Sequence, residues 1–353
     1  MSDRGEALVE AVINARRKGQ PLYISGGGSK RHLAGRDCNA APLEVSGHTG
    51  VVDYHPGELV MTARAGTPLA ELEEILGQHG QALPFEPPLF GGLATIGGTL
   101  ACNLSGPARP WAGSVRDLVL GVQLINGRGE LLNFGGQVMK NVAGYDVSRL
   151  QAGALGTLGI LTRISLKVLP RPERSLSLAY DMPLPEALAT MNRRAGEPAP
   201  LSGACWVADR LYLRLSGTRG AVAHTAGRWG GESLEDDAPI WASLRELTHP
   251  FFDGPEPLWR FSVSPTATLP EDVGPMLVDW CGAQRWLRGA HDPARLQAAA
   301  ARAGGHASLY RGGDRSGEVR QPADPVSRRL QRRLKQAFDP DGILNPGRLY
   351  SWL

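Results

Sequence analysis

The chain has four cysteines in 353 residues, Cys38, Cys102, Cys205 and Cys281, and they are far apart with no Cys-x-x-Cys pair among them. That spacing excludes a zinc ribbon and an iron–sulfur cluster held by this chain alone, and it is the pattern of inert cytosolic thiols. The 8 histidines include no pair at a usable ligand spacing, so no metal site is expected. Charge of either sign is not concentrated. The 38 basic and 35 acidic residues are interspersed and leave a net charge of +3, which predicts no nucleic-acid footprint. No apolar run approaches a membrane span, and Met1-Ser2-Asp3-Arg4-Gly5 is not the start of a secretory signal. The chain is therefore expected to be cytoplasmic, without a transmembrane segment. Internal repeats and low-complexity tracts are missing as well.

Glycine (45 residues) and proline (27) are plentiful, which favours many short elements, and the length favours two domains. The spacing of Leu8, Val12 and Ala15 predicts a helix from Glu6 to Lys18, stopped by Gly19. A short strand at Leu22-Tyr23-Ile24 follows, then strands at Gly50–Tyr54 and Leu59–Ala65. Thr67 reads as a helix N-cap with Pro68 at the first helical position. Leu83–Leu89, with Pro84, Pro87 and Pro88, must be an ordered loop. Val119–Ile125 and Leu131–Phe134 read as a hairpin turning at Asn126-Gly127-Arg128-Gly129. Ile160–Val168 alternates as a half-buried strand, with Arg163, Ser165 and Lys167 outward.

Pro170-Arg171-Pro172 ends that pattern and marks a boundary. It divides the chain into a first domain of residues 1–170, a shorter cap of residues 171–320 and a C-terminal segment of residues 321–353. The cap is expected to alternate strands (Ser175–Tyr180, Ala204–Val207, Leu211–Leu215, Trp259–Val263) with helices near Leu184–Met191, Ile240–Leu247 and Ala294–Ala303. Six of the 8 tryptophans fall between Trp206 and Trp286, which marks a packed core or an interface. A basic amphipathic helix over Pro325–Phe338 leads into Asp339-Pro340-Asp341-Gly342-Ile343-Leu344-Asn345-Pro346-Gly347.

Five separated glycine-rich segments carry the chemistry: Ser25-Gly26-Gly27-Gly28-Ser29, Thr95-Ile96-Gly97-Gly98-Thr99, Ser105-Gly106-Pro107, Trp111 to Asp117, and Gly156-Thr157-Leu158-Gly159-Ile160. Adjacent glycines expose backbone N–H groups that can wrap a pyrophosphate, and Gly97-Gly98 reads as a helix opening toward a phosphate. A P-loop is excluded because the order is Ser29-Lys30 and the spacer is missing. A Rossmann fingerprint is excluded because Arg31 stands where its third glycine belongs. Several such loops in one domain point to one long ligand approached closely by backbone.

In these segments the chain resembles the FAD-binding fold shared by vanillyl-alcohol oxidase and p-cresol methylhydroxylase (the PCMH type). The ending Phe338 to Gly347 and the run Lys140-Asn141-Val142-Ala143-Gly144-Tyr145-Asp146 are similar to the glycolate oxidase and D-lactate dehydrogenase branch. The order, spacing and short cap look like those of the smaller FAD-binding subunits of glycolate oxidases. This resemblance implies an α+β fold: a two-subdomain FAD-binding domain, a smaller α/β cap, and a C-terminal helix returning to the FAD domain. It also implies a larger FAD-binding subunit and an iron–sulfur subunit as partners, with a place at the inner face of the membrane through that complex. By matching positions, Gly26, Gly27, Gly28, Ser29, Thr95, Ile96, Gly97 and Gly98 would hold the FAD pyrophosphate. Gly156, Gly159 and Ile160 would lie along the adenosine. Pro84, Glu86, Ser105, Gly106, Gly113, Arg116 and Asp117 would line the flavin cleft, with Asn345 returning beneath the ring. Relatives with covalent flavin carry a histidine where this chain has Gly28, which implies FAD held non-covalently.

Oxidation of a small 2-hydroxy acid needs a cation for the carboxylate, a base for the hydroxyl, and a Cα–H aimed at the flavin. The larger relatives place a metal on a His-x-Gly-Asp-Gly-Asn-x-His strand. Here His306-Ala307-Ser308-Leu309-Tyr310-Arg311-Gly312-Gly313-Asp314 lacks the second histidine and the asparagine. Arg260, Arg285, Arg311, His306 and Tyr310 are the cap residues from which a substrate contact could come, and the sequence names no catalytic residue among them. Three functions stay open: an FAD-dependent subunit of a glycolate oxidase complex, a scaffold whose Trp-rich cap docks partners, or a stand-alone FAD-dependent alcohol or 2-hydroxy-acid oxidase.

Overall fold

Leu8, Val12 and Ala15 form the buried face of the helix Gly5–Lys18, which stops where Gly19 turns left-handed (φ 59°) and donates to the Arg16 carbonyl. The computed structural model describes residues 2–136, 146–270 and 274–353. The Lys140–Tyr145 part of the motif read above lies outside those residues. After the first helix, strand Leu22–Ser25 pairs in parallel with Ala41–Glu44. Its other edge takes up the far end of the chain. Leu22 N–H donates to the Ile343 carbonyl at 2.7 Å, and Asn345 N–H donates to the Leu22 carbonyl at 2.9 Å.

A five-stranded antiparallel sheet follows, in the order Val51–His55, Val60–Arg64, Ile160–Lys167, Val119–Ile125, Leu131–Gly135. The predicted hairpin is its last pair. Strand Ile160–Lys167 is the central one and is covered on both faces, so only Arg163 and Lys167 remain partly exposed. Ser165, expected to face outward, is buried and shares a hydrogen bond with Thr62 Oγ1 at 2.8 Å. Thr67 does not cap the helix Leu69–Gln78. Its hydroxyl donates to the Arg64 carbonyl and accepts from Gly50 N–H, which ties two turns together. One hydrophobic cluster runs beneath both sheets from Leu8 to Val168 and includes Ile343 and Leu344.

The cap is built on an eight-stranded antiparallel sheet, ordered Glu232–Leu234, Arg174–Asp181, Arg210–Gly217, Leu201–Val207, Met276–Asp279, Gln284–Arg288, Leu258–Ser262, His306–Arg311. Helices Leu184–Ala195, Arg219–Trp229, Ala238–Glu246 and Pro293–Arg302 accompany it. Sequence pattern misses the short strands Met276–Asp279, Gln284–Arg288 and His306–Arg311, the first two of which bury Asp279, Gln284 and Arg285 alongside apolar residues. Arg285, for instance, is fully buried mid-strand and donates to the Gly282 and Ala267 carbonyls. Trp206, Trp229, Trp241, Trp259, Trp280 and Trp286 are all buried. They make up the cap core and present no aromatic docking face.

Helix Pro325–Phe338 starts at Asp324, whose carboxylate accepts from Val326 and Ser327 N–H, and returns to the first domain. Lys335 Nζ donates to Asp339 Oδ2 (2.7 Å), Thr157 O (2.9 Å) and Leu344 O (2.7 Å), while Asp339 accepts from Ile343 and Leu344 N–H. Breaking one partner of such a buried pair leaves a charge without compensation. Lys335→Met is therefore expected to destabilise the protein by about 3–5 kcal/mol. Urea unfolding measures this, and an unchanged midpoint would show that the C-terminal return does not depend on the pair.

Candidate functional site

Strand Leu22–Ser25 delivers the chain into the turn Gly26-Gly27-Gly28-Ser29, and there the reason for glycine is steric. A Cβ at Gly27 would overlap the Leu93 carbonyl oxygen and one at Gly26 would meet Thr95 Oγ1, while Gly28 has φ 74°. Only bare backbone lets the two loops close on each other. The amides of Gly26, Gly27, Gly28 and Ser29 find no acceptor among the described residues. They line an open groove. Thr95, Gly97, Gly98, Gly156, Gly159 and Asn345 line the same groove. Ten of the positions singled out in the sequence thus share one surface.

Helix Ile96–Cys102 contributes differently from the sequence reading. Its first amides already have partners: Ile96 N–H donates to Thr67 O, Gly97 N–H to Ala65 O, and Gly98 N–H to Thr95 Oγ1. This helix start therefore offers a close surface to a phosphate and no free donors. Ile96 and Ile160 are fully buried in the core, so their side chains face away from any ligand. Asn345 (φ 43°) accepts from Ile24 N–H at 2.7 Å and donates to Leu155 O at 2.6 Å, which fixes the floor between the first strand and the Gly156 turn.

Sequence reasoning missed the cation. Lys30 is only 7 % exposed and lines the groove, with Nζ 3.2 Å from Ser29 Oγ and 5.5 Å from the centre of the Phe90 ring. Burial pulls its pKa below the ordinary lysine value, with Cys102 and Glu246 pulling the other way. No ion pair satisfies it among the described residues. A buried ammonium beside four free amides is a site for an anion. Arg31 and Arg348 also reach the groove and lie over the Tyr23 ring. Lys30 directly follows the glycine turn, so the signal was in plain sight, but the P-loop comparison passed over it.

The remaining positions lie elsewhere. Glu86 accepts from Ala108 N–H and from Arg214, at 3.0 and 2.9 Å, and holds the proline-rich loop to the cap. Pro84 precedes it in that loop. Gly113 ends the short helix Arg109–Ala112 with φ 81°. Asp117 accepts from Ser114 N–H and Oγ at 2.8 and 2.7 Å. Burial raises its pKa, but those two hydrogen bonds together with the nearby Arg109 and Arg116 hold the carboxyl below its usual value. Arg116 is exposed and pairs with no carboxylate among the described residues. None of these five residues lines the groove.

Ser105 and Gly106 instead line a second cavity, about 410 Å3, between the first domain and the cap sheet. Trp280 Nε1 donates to Gly106 O at 3.0 Å across this junction. Of the cap candidates, the cavity gathers Arg260 and Tyr310, together with Asp279 and Gln284, which the sequence did not single out. Burial pulls Arg260 down to about 10, pushes Asp279 up to about 7 and pushes Tyr310 up to about 12. Arg285 and Arg311 are used structurally, donating to backbone carbonyls. His306 sits exposed at a strand start opposite Ser262, and no group of three His, Cys, Asp or Glu side chains forms a metal cluster among the described residues.

Comparison with known proteins bears on this geometry. Residues 4–135 match the family model described as an FAD binding domain, and residues 311–349 match that of the FAD linked oxidases, C-terminal domain. The chain is 46% identical over 351 residues to glycolate oxidase subunit GlcE of Escherichia coli strain K12, covering 99% of both chains. It is 28% identical over 226 residues to a D-lactate dehydrogenase of Archaeoglobus fulgidus, covering 56% of this chain and 48% of that one. With glycolate oxidase subunit GlcD of Bacillus subtilis it shares 30% over 154 residues, 43% of this chain and 33% of that one. A solved alkyldihydroxyacetonephosphate synthase has the same fold, with a TM-score of 0.68 at 15% identity over 97% of this chain and 75% of that one. With 99% of its length matched to GlcE and three of its five glycine loops gathered on one groove, the chain belongs to the FAD-linked oxidoreductases, in the glycolate oxidase subunit family.

Proposed function

We propose that the groove holds FAD non-covalently and that the chain is the FAD-binding subunit of a glycolate oxidase complex. In that role it takes part in the oxidation of glycolate to glyoxylate. The observation that carries this reading is the set of unpartnered donors, the amides of Gly26 to Ser29 beside buried Lys30, on a groove also lined by the Thr95–Gly98 and Gly156–Gly159 loops. The amides would hydrogen-bond the pyrophosphate oxygens and Lys30 would neutralise them. Gly156 and Gly159 would flank the adenosine, and Ser105 and Gly106 would approach the flavin from the cap junction. When bound, FAD supplies the two-electron acceptor, and the chain supplies position and electrostatics.

Two features support a non-covalent cofactor. Among the described residues no histidine lines the groove, and the one cysteine there, Cys102, has its thiol pKa pushed up by burial, against the pull of Lys30 and Arg348, so it stays protonated. The four cysteines are separate free thiols. Electrons would therefore leave through a partner, which we assign to an iron–sulfur subunit working with a larger flavoprotein subunit. No helix among the described residues is long and apolar enough to cross a membrane, which suits a cytoplasmic chain that meets the membrane's inner face through those partners.

Lys30→Gln is expected to weaken FAD retention by about tenfold or more, the scale of one lost charge-assisted hydrogen bond. Flavin absorbance per chain after gel filtration reads this directly. Wild-type flavin content in the variant would refute the anion role of Lys30. Glycolate-dependent dye reduction should appear only when the flavin-loaded chain is mixed with both partner subunits. Full turnover by the chain alone would instead identify a stand-alone oxidase.

A further inference from the structure

The second cavity holds a cation and an acid that the fold keeps apart. Arg260 lines it without any ion pair among the described residues, and its one hydrogen bond runs from Nε to Gln284 Oε1 at 2.7 Å. The guanidinium rests against Trp280, Trp286 and Tyr310, 5.1, 5.8 and 6.0 Å from the ring centres. Such stacking positions a guanidinium without neutralising it. Asp279 is 5 % exposed. Its Oδ1 accepts from Trp280 N–H at 2.7 Å, and Gln284 Nε2 reaches its Oδ2 at 3.5 Å. Gln284 therefore orients both groups from between them. The backbone at this point is unusual too, because Trp280 and Cys281 both have positive φ (55° and 56°). Strain of this kind is held in place by its surroundings and clusters at working sites.

Burial leaves Arg260 a cation at neutral pH, while Asp279, raised to about 7, is only partly ionised there. The pair's net charge thus lies between zero and +1, which admits a monoanion. A dianionic phosphate would meet the Asp279 carboxylate at close quarters. Arg245, the other cation lining the cavity, is already paired with Glu246 and Glu73. One free cation beside one acceptor, at the Ser105–Gly106 segment that we place against the flavin, fits a carboxylate carrying a neighbouring hydroxyl.

We infer that this cavity binds a small 2-hydroxycarboxylate, with the Arg260 guanidinium pairing with the carboxylate and the Asp279 carboxylate accepting the hydroxyl hydrogen bond. The inference deepens the flavin-dependent reading above and rests on it. It makes this chain a holder of substrate in its own right, with Arg260 and Asp279 in contact with it and Gln284 as a positioning residue.

Calorimetric titration of the full FAD-loaded chain with sodium glycolate, and in parallel with sodium acetate, tests it, with flavin content measured on every sample. Glycolate is expected to bind saturably and at least about tenfold more tightly than acetate, the scale of a hydrogen bond to a charged group. Arg260→Gln and Asp279→Asn should each weaken glycolate by about tenfold or more, while Arg260→Lys recovers part of the loss and flavin content stays at the wild-type level. A wild-type chain that retains FAD but binds no glycolate overturns the inference. So do folded variants that bind glycolate as tightly as wild type, or acetate that binds as well as glycolate. A chain that binds glycolate but holds no FAD counts against the flavin reading and leaves this anion site standing.

Discussion

One asparagine near the end of the chain ties together three segments that are distant in sequence. Asn345 accepts from Ile24 N–H, donates to Leu155 O, and extends the first strand's ladder through its own amide to Leu22 O. The glycine turn that follows Ile24 and the turn at Gly156 therefore keep a fixed separation. Four amides aimed into a groove bind an anion well only if they need not reorganise to do so. The positive φ at Asn345 is the local cost of that arrangement. Lys335 and Asp339 hold the tail from the other side, by bonds to Thr157, Ile343 and Leu344. The groove thus rests on hydrogen bonds that close only when the whole chain has folded.

Buried or half-buried cations without carboxylate partners recur at both cavities. Lys30 faces the groove and Arg260 the cap junction, and each is cushioned by an aromatic face, Phe90 for one and Trp280 with Trp286 and Tyr310 for the other. Desolvation makes such groups costly, and a fold selected for stability alone would pair them. Elsewhere this protein either pairs them, as Arg214 with Glu86 and Lys335 with Asp339, or spends their N–H groups on backbone carbonyls, as with Arg285, Arg315 and Arg348. Lys30 and Arg260 have neither kind of partner, and both stand where a ligand would complete the pair. That contrast within one molecule separates a binding charge from a structural one more sharply than burial does.

Much of the first domain was legible because its signals are local. Glycine runs after a strand, the hairpin turn at Asn126 to Gly129, and the stop at Gly19 each act over a few residues, and the structure has them. The groove positions were legible for the same reason, since close backbone approach demands glycine at fixed places. What was not legible depends on long-range burial. Ser165 reads as an outward residue until a second sheet neighbour covers it. Thr67 reads as a cap until Gly50 claims its hydroxyl. Asp279 and Gln284 belong to short strands that bury polar residues alongside apolar ones, and only the fold reveals that those polar atoms face an internal cavity. Arg285 and Arg311 were indistinguishable in sequence from Arg260, yet they serve backbone carbonyls while it does not.

The proline-rich loop sets where the cap sits relative to the groove. Its Glu86 binds Arg214 of the cap and Ala108 N–H of the first domain, while Glu246 of the cap accepts from Leu89 and Phe90 N–H in the same loop. Prolines remove donors and stiffen the chain, so the few amides left in this loop carry its attachment. Phe90, positioned this way, supplies the ring beneath Lys30. Leu244 and Arg245, next to Glu246 on its helix, wall the second cavity together with Ser105 and Gly106. A single loop held by two carboxylates therefore shapes both cavities at once. A shift of the cap that changed the Arg260 site would therefore also pull on Phe90, the ring beneath Lys30, through Glu246.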